Sequence, residues 1–281
     1  MIIPVYNAVN TLDAQLRALA DQQSPVPFEV AVVDNASTDG TADLIRRFVA
    51  DHPNFRLVEA TDRQGSSHAR NVGVAATTGD LICFCESDDL VEPGWIAGLV
   101  SAAASYDLVG GALDVTRINT ELALAWRAWW PPLDRLPSAM GLTIIVGANC
   151  AIWRDVLDGV GGWNEAVDVQ TDRELAWRVQ LAGHDVGFAS RAVVQYRYRT
   201  DLKGVVKQAY RYGRSDATLV RMFRDQIDRP SNWRALRVWA SLVRHLPDLV
   251  RSPETRGRWL NRAAWRAGRV VGSIRARTLV L

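Results

Sequence analysis

The stretch Phe28-Glu29-Val30-Ala31-Val32-Val33-Asp34-Asn35-Ala36-Ser37-Thr38-Asp39-Gly40-Thr41 decides how the chain folds. Phe28 to Val33 is a compact apolar run of strand length. It ends on a carboxylate at Asp34, breaks into a polar turn, and leads to Leu44, Ile45, Phe48 and Val49 at helical spacing. An apolar strand followed at once by an amphipathic helix is the repeating half of a βαβ unit. The same grammar continues on both sides. Upstream, Ile2 to Val5 is a short apolar run closed by a turn at Asn7. Thr11 to Gln22 then carries Leu12, Leu16 and Leu19 on one helical face, with Asn10 as the expected N-cap. Downstream, Phe55 to Glu59 predicts a strand, Ser66 to Thr77 a helix and Asp80 to Cys85 a fourth strand, and Pro93 is expected to open another helix. This alternation predicts an α/β fold with a mostly parallel central sheet covered on both faces. Ligands of such sheets bind beyond the carboxyl ends of the strands. The loops Pro4 to Asn7, Asp34 to Asp39 and Glu86 to Asp89 therefore converge on one polar, partly acidic edge.

Composition narrows the class. The chain has 281 residues, 48% hydrophobic and 23% charged, which excludes disordered, collagenous and low-complexity proteins. No run of eighteen apolar residues occurs, so no bilayer-spanning helix is expected. Met1-Ile2-Ile3-Pro4 has neither a basic nor a long apolar leader segment, so secretion through a signal peptide is not expected. Three cysteines in this length suit a reducing compartment, and none lies at zinc-ligand spacing, so core packing is expected for all three. The net charge of +2 hides an asymmetry. Residues 1–202 hold 15 Lys and Arg against 26 Asp and Glu; residues 203–281 hold 18 against 5. An acidic body carries a basic tail.

The second half is less regular. Leu122 to Leu136 contains Trp126, Trp129, Trp130, Pro131 and Pro132. Leu142 to Trp153 is apolar, Gly161 to Glu165 is a turn, Asp172 to Gly183 predicts a helix and Val193 to Tyr198 a strand. In the tail, Leu260, Ala263, Ala264, Ala267, Val271 and Ile274 fall on one side of a helix over 256–274, with Arg258, Arg262, Arg266 and Arg269 opposite. Trp233 to Leu246 repeats the pattern less clearly. Two kinds of partner suit these helices: an anionic membrane surface, or a docking surface on the acidic body of the same chain or within an oligomer. No nucleic-acid-binding module accompanies the charge, so no nucleic-acid partner is expected.

Several side chains could carry chemistry, and each has a plainer reading beside it. Glu86-Ser87-Asp88-Asp89 follows a buried strand and could hold a hard divalent cation, Mg2+ or Mn2+; acids at a helix start are the alternative. Asp34 could accept a nucleobase N–H or bind a ribose hydroxyl, or serve as a turn cap. Arg70 could offer a fork to phosphate oxygens, or lie on a solvated helix face. Asp172 could act as a general base, or be an ordinary acid in a first helical turn. The tryptophans Trp126, Trp129 and Trp130 could stack on sugars or fill the core.

Taken in order, these segments resemble one family. Ile2-Ile3-Pro4-Val5-Tyr6-Asn7, Val32-Val33-Asp34-Asn35-Ala36-Ser37-Thr38-Asp39-Gly40-Thr41, Ala69-Arg70-Asn71-Val72-Gly73 and Gly79-Asp80-Leu81-Ile82-Cys83-Phe84-Cys85-Glu86-Ser87-Asp88-Asp89 resemble the inverting family-two glycosyltransferases. Gly161-Gly162-Trp163-Asn164-Glu165 and Thr171-Asp172-Arg173-Glu174-Leu175-Ala176-Trp177-Arg178 are similar to the acceptor half of that family. The resemblance covers about residues 1–200. It implies a Rossmann-like GT-A domain over 1–202, with a nucleotide-sugar half at about 1–115 and an acceptor half at about 116–202, followed by a basic helical extension over 203–281. It implies metal-dependent, inverting transfer of a sugar from a UDP- or GDP-sugar to a glycan or lipid-linked acceptor, in cell-envelope or polysaccharide synthesis. By the same resemblance, Pro4, Tyr6, Asn7 and Asp34 surround the nucleoside, Arg70 and Glu86 face the donor, Asp88 and Glu86 hold the metal, and Asp172 is the catalytic base. Glu86 stands where the family usually has Asp, and Thr171 where it often has Glu. The segment Gln208 to Arg214 faintly resembles the Gln-x-x-Arg-aromatic segment of processive synthases, with an ordinary helix surface as the alternative.

Two other functions compete. One is a nucleotide-sugar-binding protein without turnover, which Glu86 favours. The other is a different nucleotide enzyme such as a nucleotidyltransferase, which would need a glycine-rich basic first loop; Pro4-Val5-Tyr6-Asn7 is not one, and residues 1–202 contain no lysine. The expected location is cytoplasmic, with peripheral contact at the inner face of the plasma membrane.

Overall fold

The structure, a computed structural model, describes residues 1–127, 132–228 and 232–280, with the side chains of 232–236 outside the description. Trp129, Trp130, Trp233 and Leu236 therefore lie outside the described side chains. The first half runs β1 (Ile2–Val5), α1 (Leu12–Ala20), β2 (Val30–Asp34), α2 (Thr41–Ala50), β3 (Phe55–Glu59), α3 (Ser66–Ala75) and β4 (Leu81–Cys85). The second continues with β5 (Leu90–Val91), α4 (Trp95–Ala103), β6 (Leu108–Asp114), α5 (Glu121–Ala125), β7 (Ser138–Ala139), β8 (Leu142–Thr143), β9 (Asn149–Trp153), α6 (Arg154–Gly159), α7 (Thr171–Leu181) and β10 (Val186–Gln195). The helices α8 (Leu202–Met222), α9 (Asn232–Arg244), α10 (Asp248–Arg251) and α11 (Pro253–Ala276) follow.

Eight strands form one sheet in the order β3-β2-β1-β4-β9-β6-β10-β5. β1, β2, β3 and β4 are parallel, as are β6 and β10. β9 lies antiparallel between β4 and β6, and β5 antiparallel on the edge of β10. Val5 pairs with Asp34, so the β1 and β2 loops leave the sheet side by side. Successive strand residues alternate between two cores. Ile3, Val32 and Cys83 pack with Leu12, Leu16 and Trp95 on one face. Ile2, Val33 and Phe84 pack with Trp163, Leu175 and Val179 on the other. All three cysteines are free and buried, and burial pushes the Cys83 thiol up to about 11.

Several boundaries differ from the sequence reading. The α1 N-cap is Thr11 rather than Asn10, because the Ala8 carbonyl already accepts from the Thr11 and Leu12 amides. Pro93 precedes the helix instead of opening it: Gly94, at φ +81°, is the cap of α4. Trp126 is a packing residue. Its indole donates to the Pro253 carbonyl at 3.0 Å, and a side chain at Gly257 would overlap its ring.

The tail corrects the amphipathic reading most. The buried face of α11 is Gly257, Asn261, Gly268, Gly272, Ser273 and Ala276, whereas Ile274 is 73% exposed. A Cβ at Gly213 would overlap the Trp265 carbonyl, and one at Gly268 the Tyr210 carbonyl, so α8 and α11 cross backbone to backbone. Arg269, expected on the outer side with Arg258, Arg262 and Arg266, instead reaches the buried Asp216 at 2.7 Å. Small residues set this face because they permit close approach, and an apolar periodicity does not record them.

Candidate active site

β2 delivers Asp34 to the carboxyl edge, where it is only 4% exposed. Its Oδ2 accepts from the Ser37 amide at 3.4 Å, while its buried Oδ1 has no hydrogen-bond partner. A buried acceptor without a donor costs about 1–3 kcal/mol, so this oxygen is suited to a donor from a ligand. Asn7, in the left-handed region at φ 51°, ties the neighbouring loop: its amide donates to Ser37 Oγ at 2.9 Å and its Oδ1 accepts from the Thr38 amide at 2.8 Å. Tyr6 is 52% exposed on the same edge, and Pro4 is buried beneath it, paired with Val33. Asn35 fastens a third loop, donating to the Ala60 and Arg63 carbonyls at 2.5 and 2.7 Å and accepting from the Gly65 amide at 2.7 Å.

The acidic loop after β4 is pinned from α1. Buried Gln15 donates to the Glu86 carbonyl at 3.1 Å and accepts from the Val91 amide at 2.9 Å. Glu86 forms an ion pair with Arg70, whose guanidinium lies 4.3 Å from the centre of the Trp163 ring. Burial raises the Glu86 carboxyl to about 7 against the opposing pull of Arg70, with Asp88 and Asp172 adding to the rise. Asp88 is exposed. Asp89 is buried; its Oδ1 accepts from the Arg197 amide at 2.7 Å and its Oδ2 has no partner. Burial first, and Asp88 second, hold Asp89 well above the usual carboxylate range.

Among the described residues no group of three or more His, Cys, Asp or Glu could enclose a metal by itself. The free Asp89 oxygen beside exposed Asp88 instead fits a partial ligand set. Mg2+ is commonly held by one or two carboxylates, with substrate phosphates and water completing its shell.

From the acceptor side, α7 presents Asp172 in its first turn. Its Oδ2 accepts from the Gly147 amide at 3.0 Å and its Oδ1 from the Arg173 amide at 2.8 Å. A Cβ on Gly147 would lie 3.1 Å from Arg70 Nη2 and 3.5 Å from Asp172 Cβ, so one residue's width separates Asp172 from the Arg70–Glu86 pair. The half-buried Tyr212 of α8 adjoins the same space; desolvation and then Asp172 push its hydroxyl up.

Comparison with known proteins assigns the family. Residues 1–161 match the Glycosyl transferase family 2 model. The chain belongs to glycosyl transferase family 2. It is 28% identical over 250 residues to glycosyltransferase AglE of Haloferax volcanii, covering 88% of this chain and 81% of that one. It spans about half the length of several other curated relatives that it matches. Among solved structures it is similar to a mannosyltransferase from Pyrobaculum calidifontis in complex with GDP-Man and Mn2+, at TM-score 0.64 and 20% identity, covering 96% and 85% of the two chains. It is also similar to Staphylococcus aureus TarS 1-349 in complex with UDP-GlcNAc, at TM-score 0.57 and 14% identity, covering 99% and 91%. At these identities the two structures establish the shared GT-A-like fold.

In this family 2 transferase, Asp34, Asn7, Tyr6, Glu86, Asp88 and Asp172 all meet the carboxyl edge. Arg70 is occupied by Glu86 and Trp163 rather than standing open. His68 faces away, bonded to Asp62 and Glu165 at 2.9 and 3.1 Å. Arg211, in the segment similar to the processive synthases, turns outward to Asp168 at 2.6 Å. The roles of three residues escaped the sequence reading: Gln15, Asn35 and Asp216. Gln15 left a signal, being a polar residue on the Leu12–Leu19 face of α1. Asp216 left none, since its partners lie elsewhere in the chain.

Proposed function

We propose that this family 2 glycosyltransferase moves a sugar from a UDP- or GDP-sugar to an acceptor hydroxyl, with inversion. The unpartnered Asp34 oxygen, on the same edge as a carboxylate oriented by two amides at Asp172, carries the reading. Asp34 accepts an N–H of the base, while Asn7 keeps the nucleoside loop in place. Asp172 takes the acceptor proton as the acceptor oxygen bonds to the anomeric carbon. The bond to the diphosphate breaks on the opposite face, and its electron pair leaves with the diphosphate. One displacement inverts the centre, and general-base help of this kind is worth about 10²–10⁴-fold. Mg2+ or Mn2+, held by Asp88 with Asp89 and by Glu86 if Arg70 releases it, would neutralise charge on the departing diphosphate. The Mn2+ complex of the Pyrobaculum neighbour supports this cofactor.

The acceptor proposed is a glycan or lipid-linked hydroxyl of cell-envelope synthesis, met at the cytoplasmic face of the membrane. No helix among the described residues is long and apolar enough to cross a membrane. Peripheral contact through the basic tail is the reading its exposed apolar residues support.

The test is a panel of UDP- and GDP-sugars, read by thermal shift and by transfer, with and without Mn2+. Asp172→Asn should keep the donor-induced shift and lose transfer; equal transfer would remove Asp172 from the reaction. A second reading, a donor-binding protein without turnover, is favoured by the Arg70–Glu86 pair, which engages two donor-facing groups with each other. A donor-induced shift in the wild type with no transfer to any acceptor would support it.

A further inference from the structure

We propose that the cleft between α9 and α11 binds the phosphate headgroup of an anionic lipid. The cleft has a volume of about 470 Å³, within the range of small-ligand sites. Arg237 of α9 and Arg258, Arg262, Arg266 and Arg269 of α11 line it, against the single acid Asp248. Arg269 is paired with Asp216, and Arg258 donates to the Ala125 carbonyl at 3.0 Å. Among the described residues no carboxylate lies within ion-pairing distance of Arg237 or Arg262. Burial, and then neighbouring Arg269, push the Arg266 guanidinium below its ordinary range. Arg237 and Arg262 thus bring to the cleft positive charge that no described carboxylate pairs.

Val238, Leu242, Trp259 and Trp265 form the apolar part of the wall, and the two indoles are fixed. The Trp259 indole donates to the Leu242 carbonyl at 2.9 Å, and the Trp265 indole to Asp216 at 2.8 Å. Outside the cleft, the end of α9, the turn after it and α10 expose Val243, Leu246 and Val250 at 67, 48 and 82%. Charge within and apolar residues beside it match a phosphate head with its chains lying along α9 and α10. Arg guanidinium pairs with phosphate oxygens through two parallel N–H bonds. A free anion would use the charge and leave the apolar rim unexplained; a membrane bound by diffuse charge would not need the cleft. The proposal rests on the membrane-facing reading of the tail and not on the transfer reaction.

Titration calorimetry with monomeric dihexanoyl phosphatidic acid tests it, with inorganic phosphate and dihexanoyl phosphatidylcholine as parallel probes. Arg237→Ala/Arg262→Ala is compared with Arg244→Ala/Arg275→Ala, which removes the same charge from the same helices outside the cleft. The cleft variant should bind phosphatidic acid at least tenfold more weakly and the control within about twofold of wild type. Inorganic phosphate and phosphatidylcholine should bind at least tenfold more weakly than phosphatidic acid. Equal losses in both variants, equal affinity for inorganic phosphate, or no saturable binding by the wild type would overturn the proposal. If the double variant fails to fold, Arg262→Gln carries the same comparison. Donor-induced thermal shifts should be unchanged in all variants, so failure of the cleft and failure of the transferase reading remain separate results.

Discussion

Replacing Asp216 by asparagine keeps the shape of a fully buried side chain and removes its charge. Its two oxygens accept from Arg173 and Gln170 at 2.8 and 3.1 Å, and from Trp265 and Arg269 at 2.8 and 2.7 Å. Burial alone would push this carboxyl up; Arg173 and Arg269 outweigh it, and the acid sits below its ordinary value of 3.8. In the variant, guanidiniums with side chains only 16 and 19% exposed lose their counter-charge. An amide N–H₂ would also face donors on one side. Removing one partner of a buried pair costs about 3–5 kcal/mol. At roughly 2–4 °C per kcal/mol for a chain of this size, the unfolding midpoint should fall by roughly 6–20 °C. The reaction should suffer as well, because Gln170 and Arg173 flank Asp172 and tether the start of α7 to α8. A displacement of about 1 Å can cost on the order of 10²-fold in rate, so kcat should fall by that order with the donor KM little changed. The depressed pKa sets the pH dependence. The contribution of Asp216 is complete above its unfolded value of 3.8 and is lost as pH falls through the lowered folded value. Urea unfolding at pH 7 and pH 3, with steady-state transfer at pH 7, measures all three effects. A variant within about 1 kcal/mol of wild type at pH 7, the scale of an exposed pair, would refute the reasoning.

Gly268→Ala should destabilise by about 1–3 kcal/mol or more, because the new methyl meets the Tyr210 carbonyl and the Arg214 amide, which cannot move aside. Gly159→Ala, with nothing within 4 Å, is the control and should be neutral or slightly stabilising; equal urea midpoints for the two would rule out the close crossing. Glu86 titrates near 7 when folded and near 4.5 when unfolded, so the folded chain binds more protons between those values. Stability of the metal-free protein should therefore fall as pH rises from about 4.5 to 7, by at most about 3 kcal/mol, and level off above. Glu86→Gln should abolish that slope, and parallel urea profiles from pH 4.5 to 8 would count against it. Asp172→Asn should reduce transfer by about 10²–10⁴-fold or more while leaving the donor-induced thermal shift in place, measured on the same preparation.

Local chemistry was enough to place Asp34 and the Glu86–Asp89 loop on one edge. Apolar runs of strand length, each broken by polar turns and followed by helical periodicity, leave few arrangements other than parallel strands whose carboxyl ends face the same way. The Asp172 helix was legible for a similar reason, through its spacing and its acidic first turn. Contacts between distant segments were not legible. β9 enters antiparallel between β4 and β6, which an apolar run over 142–153 cannot announce. The Arg70–Glu86 pair forms because α3 and the β4 loop fold over one another, and a lone arginine on a helix carries no mark of its partner. The tail is the sharpest case. Periodicity marked Leu260, Ala263, Ala264, Ala267, Val271 and Ile274 as one apolar face, yet α11 docks through Gly268 and Gly272. Dispersion and backbone proximity reward small residues at a close crossing, and only the three-dimensional approach of α8 makes that face the buried one.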